Sequence, residues 1–173
     1  MWFEDTDIRL RALEPEDLDW LYTLENDETL WGVGCSNVPY SRYALKSYIA
    51  ESRHDIYADG QLRLVAVLKA TGAVVGCVDL VDFSPRHLRA EVGIFLYPDY
   101  QNRGWGGRML KMLVSYAREH LCLHQLYAWV AEENVQAQRL FQKSGFSRQA
   151  VLEGWLRDKK GGFTAASLFT LLL

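Results

Sequence analysis

Cysteine and proline are both scarce in this chain, whose 173 residues contain 3 cysteines and 4 prolines. Cys35, Cys77 and Cys122 are odd in number and scattered, and no two of them form a C-x-x-C pair. This pattern argues against a disulfide framework and against a cysteine-ligated zinc site. The opening MWFEDTDIRL lacks the positive and apolar regions of a secretory leader. We therefore expect reduced thiols and a cytoplasmic protein.

Long apolar runs and an excess of positive charge are also missing. No apolar run approaches the roughly 20 residues that a membrane-spanning helix needs, so we expect no membrane partner. The net charge is -3 and the basic residues are spread evenly, which argues against a nucleic-acid partner. His120 and His124 have a metal-like spacing, but they fall at a predicted helix end without an acidic partner between them. We expect no metal site.

The length fits one domain covering residues 1–173, large enough to bury a core. Helical and strand patterns alternate along it, which indicates a mixed α/β (α+β) fold. We predict strands at 8–13, 62–70, 73–83, 88–97, 126–133, 148–157 and 163–172, with helices from about 15 to 27, 42 to 57, 104 to 119 and 135 to 144. Ser41 and Asn134 are the expected helix N-caps, and Gly145 the expected left-handed C-terminal residue.

The stretch QNRGWGG, residues 101–107, lies between the third strand of the central group and the long helix after it. Backbone N–H groups at a helix start have no partners within the helix and lie at the positive end of its dipole. Glycines at that point let an anion approach them, as phosphate sites require. Arg103 and Arg108 add positive charge nearby. The alternative is that the glycines only permit a tight turn and close helix–sheet packing.

The stretch does not match two common phosphate-binding motifs. The dinucleotide fingerprint would need glycine at Met109, and no P-loop string occurs. It does match Q/R-x-x-G-x-G/A, a signature of the GNAT acyl-CoA N-acyltransferases. About 30 residues later, ENVQAQRLFQKSGF resembles that family's second segment, N-x-x-A-x-x-L-[YF]-x-x-x-G-F. With the order of elements, the resemblance covers essentially the whole chain and points to the spermidine and ribosomal-protein acetyltransferase branch.

The resemblance implies a mostly antiparallel central sheet that is splayed into a V and flanked by helices. It also implies acetyl-CoA as cosubstrate, with its pantetheine arm bound by backbone groups in the gap and its pyrophosphate bound by the glycine-rich turn. Asn134 would face the cofactor, although it also serves as a helix cap. The implied cofactor residues are Ile94, Phe95, Leu96, Gln101, Asn102, Arg103, Gly104, Trp105, Gly106, Gly107 and Asn134.

Glu91 is the candidate catalytic residue. Acetyl transfer needs a neutral amine, and a lysine-like amine has a pKa near 10.4, so deprotonation at pH 7 costs about 4–5 kcal/mol. A carboxylate in the cleft can take up the proton, directly or through water. Glu91 matches a glutamate that several GNAT enzymes use as the base. The alternative reading is a glutamate that orients neighbouring backbone or pairs with Arg89.

Phe141 departs from the family pattern. Family members often carry a tyrosine there, placed to protonate the departing thiolate, and phenylalanine has no hydroxyl. Tyr97, Tyr100 and Tyr127 are substitutes that the sequence cannot rank, and water is another. This departure leaves an alternative function open, an acyl-CoA-binding sensor or partner module with impaired catalysis. The leading interpretation is direct acetyl transfer to a primary amine, without an acyl-enzyme.

The acceptor amine is not determined by the sequence. Polyamine acetyltransferases of this type carry an acidic pair before a Pro-Tyr step, where this chain has CSNVPY at 35–40. A polyamine therefore stays open without being favoured, beside a peptide N-terminus or an amino sugar, in a pocket that includes Trp31 and Tyr40. The final SLFTLLL could form a homodimer by strand pairing, or be covered within one chain.

Overall fold

The computed structural model describes residues 2–28, 30, 38–53, 55–158 and 161–173. Its strands are β1 Ile8–Arg11, β2 Leu62–Leu68, β3 Val74–Ser84, β4 Arg89–Leu96, β5 Gln125–Ala131, β6 Ser147–Arg157 and β7 Phe163–Leu172. Its helices are α1 Leu18–Glu25, α2 Arg42–Glu51, α3 Ile56–Asp59, α4 Trp105–Glu119 and α5 Val135–Lys143. None of the described helices is long and apolar enough to cross a membrane.

The predicted helix ends are confirmed where the sequence supplied a specific cap. The Ser41 side chain accepts from the Ala44 N–H at 3.1 Å, and Asn134 caps α5 in the same way. Gly145 has a φ of +92°, in the left-handed region that favours glycine. The β2–β3 hairpin is also confirmed, with Gly72 in its turn at a φ of +73°.

The second predicted helix is too long, because α2 ends at Glu51 and a separate short helix begins at Ile56. Local side-chain hydrogen bonds explain the break. The Asp55 carboxylate accepts from the Tyr57 N–H and starts α3, while the Asp59 carboxylate accepts from the Arg53 N–H. Aspartates that bond nearby N–H groups compete with a continuing helix, so the chain restarts rather than runs on.

A seven-stranded sheet of order β1-β2-β3-β4-β5-β7-β6 forms the centre of the fold. All its pairs are antiparallel except β4–β5. One face carries the main core, in which Ala90 and Val92 of β4 and Leu110 and Leu113 of α4 are buried. A smaller cluster centred on Leu21 of α1 joins the first two helices. The sheet is therefore covered by helices, as the family resemblance implied.

The sheet opens between its two parallel strands. β4 and β5 pair only from Arg89 to Glu91, opposite Gln125 to Tyr127. Beyond Glu91, residues 92–96 pair with β3 on one edge and have no β5 partner on the other, although β5 continues to pair with β7. This divergence is the expected V, and it leaves one edge of β4 available to a ligand.

The final strand is an interior one, since β7 lies between β5 and β6. Of the two readings of SLFTLLL, coverage within one chain is therefore the one observed, and β6 forms the sheet edge. The predicted acceptor loop, with Trp31, falls mostly outside the described residues. So do Cys35 and part of the turn between the last two strands.

Candidate active site

The glycine-rich turn is built from two left-handed residues that precede α4. Asn102 has a φ of +58° and Gly104 a φ of +83°. Asparagine is one of the few side chains that tolerate this conformation, and its Oδ1 accepts from Gln136 Nε2 at 3.2 Å, which links the turn to α5. The first bond of the helix runs from the Arg108 N–H to the Gly104 carbonyl. The backbone N–H groups of residues 105–107 come before this first bond and have no acceptor within the helix. An anion site requires N–H groups of this kind.

The adjacent glycines of this turn serve different purposes. A Cβ built on Gly106 would lie 3.1 Å from Leu140 Cδ2 and 3.2 Å from Leu96 Cδ1, so the glycine permits close packing and a larger residue would make these side chains shift. A Cβ on Gly107 would meet no described atom within 4 Å. The packing interpretation therefore explains Gly106, while the space beside Gly107 is open to a ligand.

A cleft of about 860 Å³ extends from this turn between α4 and α5. Its lining includes four cationic side chains, Lys111 and Arg118 of α4 and Arg139 and Lys143 of α5, and among the lining residues that the structure describes none is acidic. Sequence analysis missed all four. The two on α4 are seven residues apart and the two on α5 are four residues apart, so each pair lies on one face of its helix. This spacing could have been read from the sequence. The donor set suits a polyphosphate.

The structure brings about half of the predicted cofactor residues to this cleft. Those that line it are Leu96, Gln101, Asn102, Gly104, Gly106 and Gly107. Those that are not among its described lining residues are Ile94, Phe95, Arg103, Trp105 and Asn134. For Ile94 and Phe95 the predicted contacts are main-chain ones, on the open edge of β4. The cofactor roles of all eleven residues stay predictions.

Several of these side chains also have roles within the protein. Gln101 Nε2 donates to the Leu96 carbonyl at 2.9 Å, which ties the turn to the end of β4. Asn134 Oδ1 accepts from the Ala137 N–H at 3.1 Å, which confirms that Asn134 caps α5. The Trp105 ring lies 4.7 Å from the Arg108 guanidinium. Arg108 itself pairs with Asp5 and Asp7, so much of the positive charge expected from this residue near the turn is neutralised.

Glu91 lies at the last paired position before the sheet opens, opposite Tyr127. Burial raises the pKa of its half-buried carboxyl, the negative charge of Asp82 raises it further, and a hydrogen bond from the Trp129 N–H lowers it. A raised pKa favours a general base near neutral pH. The bond to Trp129 means that Glu91 also orients neighbouring backbone, as the alternative reading held.

Asp82 belongs to the same site and was missed by sequence analysis. It occupies an irregularity in β3 between Val81 and Ser84 and has a φ of +47°. Its carboxylate accepts a short hydrogen bond from the Tyr127 hydroxyl, across the point where the V opens. Asp82 and Glu91 thus form an acidic pair beside the gap. The signal in the sequence was weak, since VDLVDF carries two aspartates in an ordinary strand pattern.

Two of the tyrosines considered as replacements for the acid that Phe141 cannot supply, Tyr127 and Tyr97, are poorly suited to that role. Phe141 is buried and its ring packs against Phe146 and Phe169. Burial and the hydrogen bond to Asp82 raise the pKa of Tyr127, which makes that hydroxyl a weaker acid. Burial raises the pKa of Tyr97 as well. Neither tyrosine is therefore tuned to protonate a thiolate, whose conjugate acid has a pKa near 8.5.

Among the described residues, no group of three or more His, Cys, Asp or Glu side chains could hold a metal ion. His120 instead ends α4 and stacks on Tyr116 at a centroid distance of 5.2 Å.

Comparison with known proteins identifies the family of this chain. Residues 7–147 match the family model of the acetyltransferase (GNAT) domain. Spermidine N(1)-acetyltransferase of Escherichia coli K12 is 31% identical over 145 residues, covering 84% of this chain and 75% of that protein. The enzyme of the same name from Vibrio cholerae is 27% identical over 148 residues, covering 86% and 83%. A solved structure of the Vibrio cholerae spermidine N-acetyltransferase with CoA and spermine superposes with a TM-score of 0.83 at 26% identity, covering 97% of this chain and 96% of that one.

The chain therefore belongs to the GNAT acetyltransferase family. It is an acetyl-CoA-dependent N-acetyltransferase that transfers an acetyl group to a primary amine. The interpretation as a binding module without catalysis is not supported by these relatives, which are named as enzymes.

Proposed function

We propose that the acceptor is a small polycationic amine of the polyamine class, and that Glu91 removes its proton. The observation that carries the proposal is the acidic pair Asp82 and Glu91 at the opening of the V. The relatives named as spermidine acetyltransferases support it. The sequence of the acceptor loop lacks the acidic pair found in polyamine acetyltransferases. In this proposal, the two carboxylates on the sheet attract the polycation instead.

Acetyl-CoA supplies the activated thioester in this scheme. The turn amides of residues 105–107 and the cations of α4 and α5 hold its phosphates, and the free edge of β4 holds its pantetheine arm. Glu91 takes one proton from the ammonium nitrogen, and the neutral nitrogen then forms the N–C bond as the C–S bond breaks. The second proton of that nitrogen passes through water to the departing thiolate, which leaves as free CoA thiol. Asp82 attracts a second ammonium group of the acceptor.

Release of free CoA thiol with a panel of amines tests the proposal. We expect spermidine and spermine to be better acceptors than a monoamine of similar length, a peptide N-terminus or an amino sugar. Glu91→Gln should lower kcat by about 100-fold or more, since positioned bases contribute that much, while CoA affinity stays near that of the wild type. Preference for the monoamine or the peptide would contradict the acceptor class, and full activity in Glu91→Gln would remove the base.

Compartment, domain extent and assembly are further predictions. We propose one domain over residues 1–173 in the cytoplasm. A Vibrio cholerae relative has been solved as a dodecamer, so self-association of this chain is proposed without choosing a dimer. Light scattering of the purified protein measures it, and a monomer at all concentrations would contradict it.

A further inference from the structure

Arg108 is the fourth residue of α4 and directly follows the amides assigned to the pyrophosphate. Its side chain is not among the described residues that line the cleft. The guanidinium is bound elsewhere, because Nε and Nη2 donate to the two Asp5 carboxylate oxygens, each at 2.6 Å. Nη2 also donates to Asp7 at 2.8 Å. Two parallel N–H···O bonds to one carboxylate fix direction as well as distance.

The partners of Arg108 lie on residues 2–7, which we call the strap. The strap is folded back on β1, since the Leu10 N–H donates to the Phe3 carbonyl at 2.7 Å and the Asp5 N–H to the Ile8 carbonyl at 3.0 Å. The Asp5 carboxylate is itself oriented by the backbone N–H groups of Asp7 and Ile8. Arg108 therefore binds a carboxylate that the sheet edge holds in place.

The strap also contacts the other end of α4. Trp2 Nε1 donates to Glu119 at 2.7 Å, and the Phe3 ring lies 4.6 Å from the Tyr116 ring. The long helix is thus fastened to β1 near both ends by one short segment. The family match begins at residue 7, so most of the strap lies outside the region shared with the family model.

We propose that Arg108 is a positioning residue of the coenzyme A site. Through Asp5 it holds the first turn of α4 in the orientation at which the amides of residues 105–107 meet the pyrophosphate. It acts without touching the cofactor. The inference rests on the proposed use of this turn for coenzyme A, and it adds that affinity for the cofactor depends on the strap.

Isothermal titration with CoA tests this on the full chain. Arg108→Gln should weaken CoA binding about tenfold, within the range that coupling networks transmit, and should raise the KM for acetyl-CoA more than the KM for the amine. Arg108→Lys keeps the charge but loses the two-bond geometry, so it should restore only part of the affinity.

A double-variant cycle separates positioning from direct contact. If Arg108 acts through Asp5, then Asp5→Asn weakens CoA binding, and Asp5→Asn/Arg108→Gln binds no worse than Arg108→Gln alone. If Arg108 instead contacts a phosphate, Asp5→Asn frees the cation and tightens binding, which would overturn the inference.

Arg11→Gln is the matched control. Arg11 makes a similar two-bond pair with Asp17 at 2.6 and 2.8 Å, far from the turn in sequence. It should lower thermal stability and leave the Kd for CoA unchanged. Equal Kd changes in Arg11→Gln and Arg108→Gln would reduce Arg108 to a general stability role and refute the positioning role. Absence of CoA binding in the wild type would instead refute the proposed function itself.

Discussion

At the scale of single residues, the chemistry depends on how Glu91 is tuned. Its pKa is raised first by burial and then by the negative charge of Asp82. A base acts in its deprotonated form, so kcat/KM should fall as the pH is lowered through this raised pKa. The decline of kcat/KM at low pH, its acid limb, therefore depends on the pKa of the Glu91 carboxyl.

Asp82→Asn tests that environment. The variant removes a negative charge, so the pKa of Glu91 falls and the acid limb of kcat/KM moves to lower pH. The asparagine oxygen can still accept from Tyr127, which limits other changes. Exposed Glu153 on β6 supplies the control, because Glu153→Gln should leave the profile in place. An acid limb that does not move in Asp82→Asn would contradict the assignment of Glu91 as the titrating base.

The two neighbouring glycines of the turn should respond differently to substitution. Gly107→Val adds atoms to open space in the cleft, so we expect CoA affinity to fall at least about tenfold, a loss of about 1.4 kcal/mol, with the fold retained. Gly106→Val should instead lower the unfolding midpoint, because its Cβ already lies within 3.2 Å of Leu96 and Leu140 and its two methyl groups have no room beside them. Titration calorimetry and thermal melts distinguish the two. Wild-type CoA affinity in Gly107→Val would place the ligand elsewhere.

At the scale of elements, a partly buried group of three charged side chains joins α1 to the central hairpin. Arg63 of β2 donates from Nε and Nη2 to Asp79 of β3 at 2.9 and 3.1 Å, and from Nη1 to Glu25 of α1. The three side chains are at most 22% exposed. Removing the arginine leaves two partly desolvated carboxylates without this partner.

Arg63→Gln should therefore lower the free energy of unfolding by about 1–3 kcal/mol. Arg42→Gln is the matched control, since Arg42 pairs with Asp19 on the surface with side chains 54% and 83% exposed. That loss should stay below about 1 kcal/mol. Urea titrations of the two variants provide the comparison, and equal losses would mean that the ion pairs of Arg63 do not hold α1 to the sheet.

The ends of helices and hairpins were predicted correctly where a residue type typical of a helix cap or a turn marks the end. Caps at Ser41 and Asn134 and glycine turns at Gly72 and Gly145 carry explicit local signals, and all four were confirmed. The α2–α3 break was missed because the apolar spacing continues through it while side-chain hydrogen bonds from Asp55 and Asp59 divide it. The spacing of apolar residues indicates which face of a helix is buried. It does not indicate where a side chain bonds a backbone N–H group and so interrupts the helix.

At the scale of the whole molecule, the site depends on contacts between segments distant in sequence. The resemblance to one family predicted the V and the turn, since motif residues stand in sequence order. It could not predict that Asp82 meets Tyr127 or that Arg108 binds Asp5, because each pair joins distant segments through its own side chains. The cationic cleft was within reach of helical spacing, but it needed the knowledge that α4 and α5 face each other.

The charge distribution predicts how the molecule binds its cofactor. The chain carries a net charge of -3, yet cations line the cleft. Raising the salt concentration should therefore weaken CoA binding, and 3′-dephospho-CoA should show a shallower dependence because it carries less charge. Lys143→Gln should weaken binding, while the exposed Lys46→Gln should not. A Kd for CoA that salt does not change would argue against phosphate binding by these side chains.

The central claim is that coenzyme A binds along the free edge of β4 with its pyrophosphate on the start of α4. Residue-resolved amide hydrogen exchange, followed by NMR with and without CoA, tests it most directly. The account predicts that CoA slows exchange at Trp105, Gly106 and Gly107 and along residues 92–96, while the amides of β6 keep their rates. Tight binding of CoA with unchanged exchange at both the turn and the open edge of β4 would contradict it.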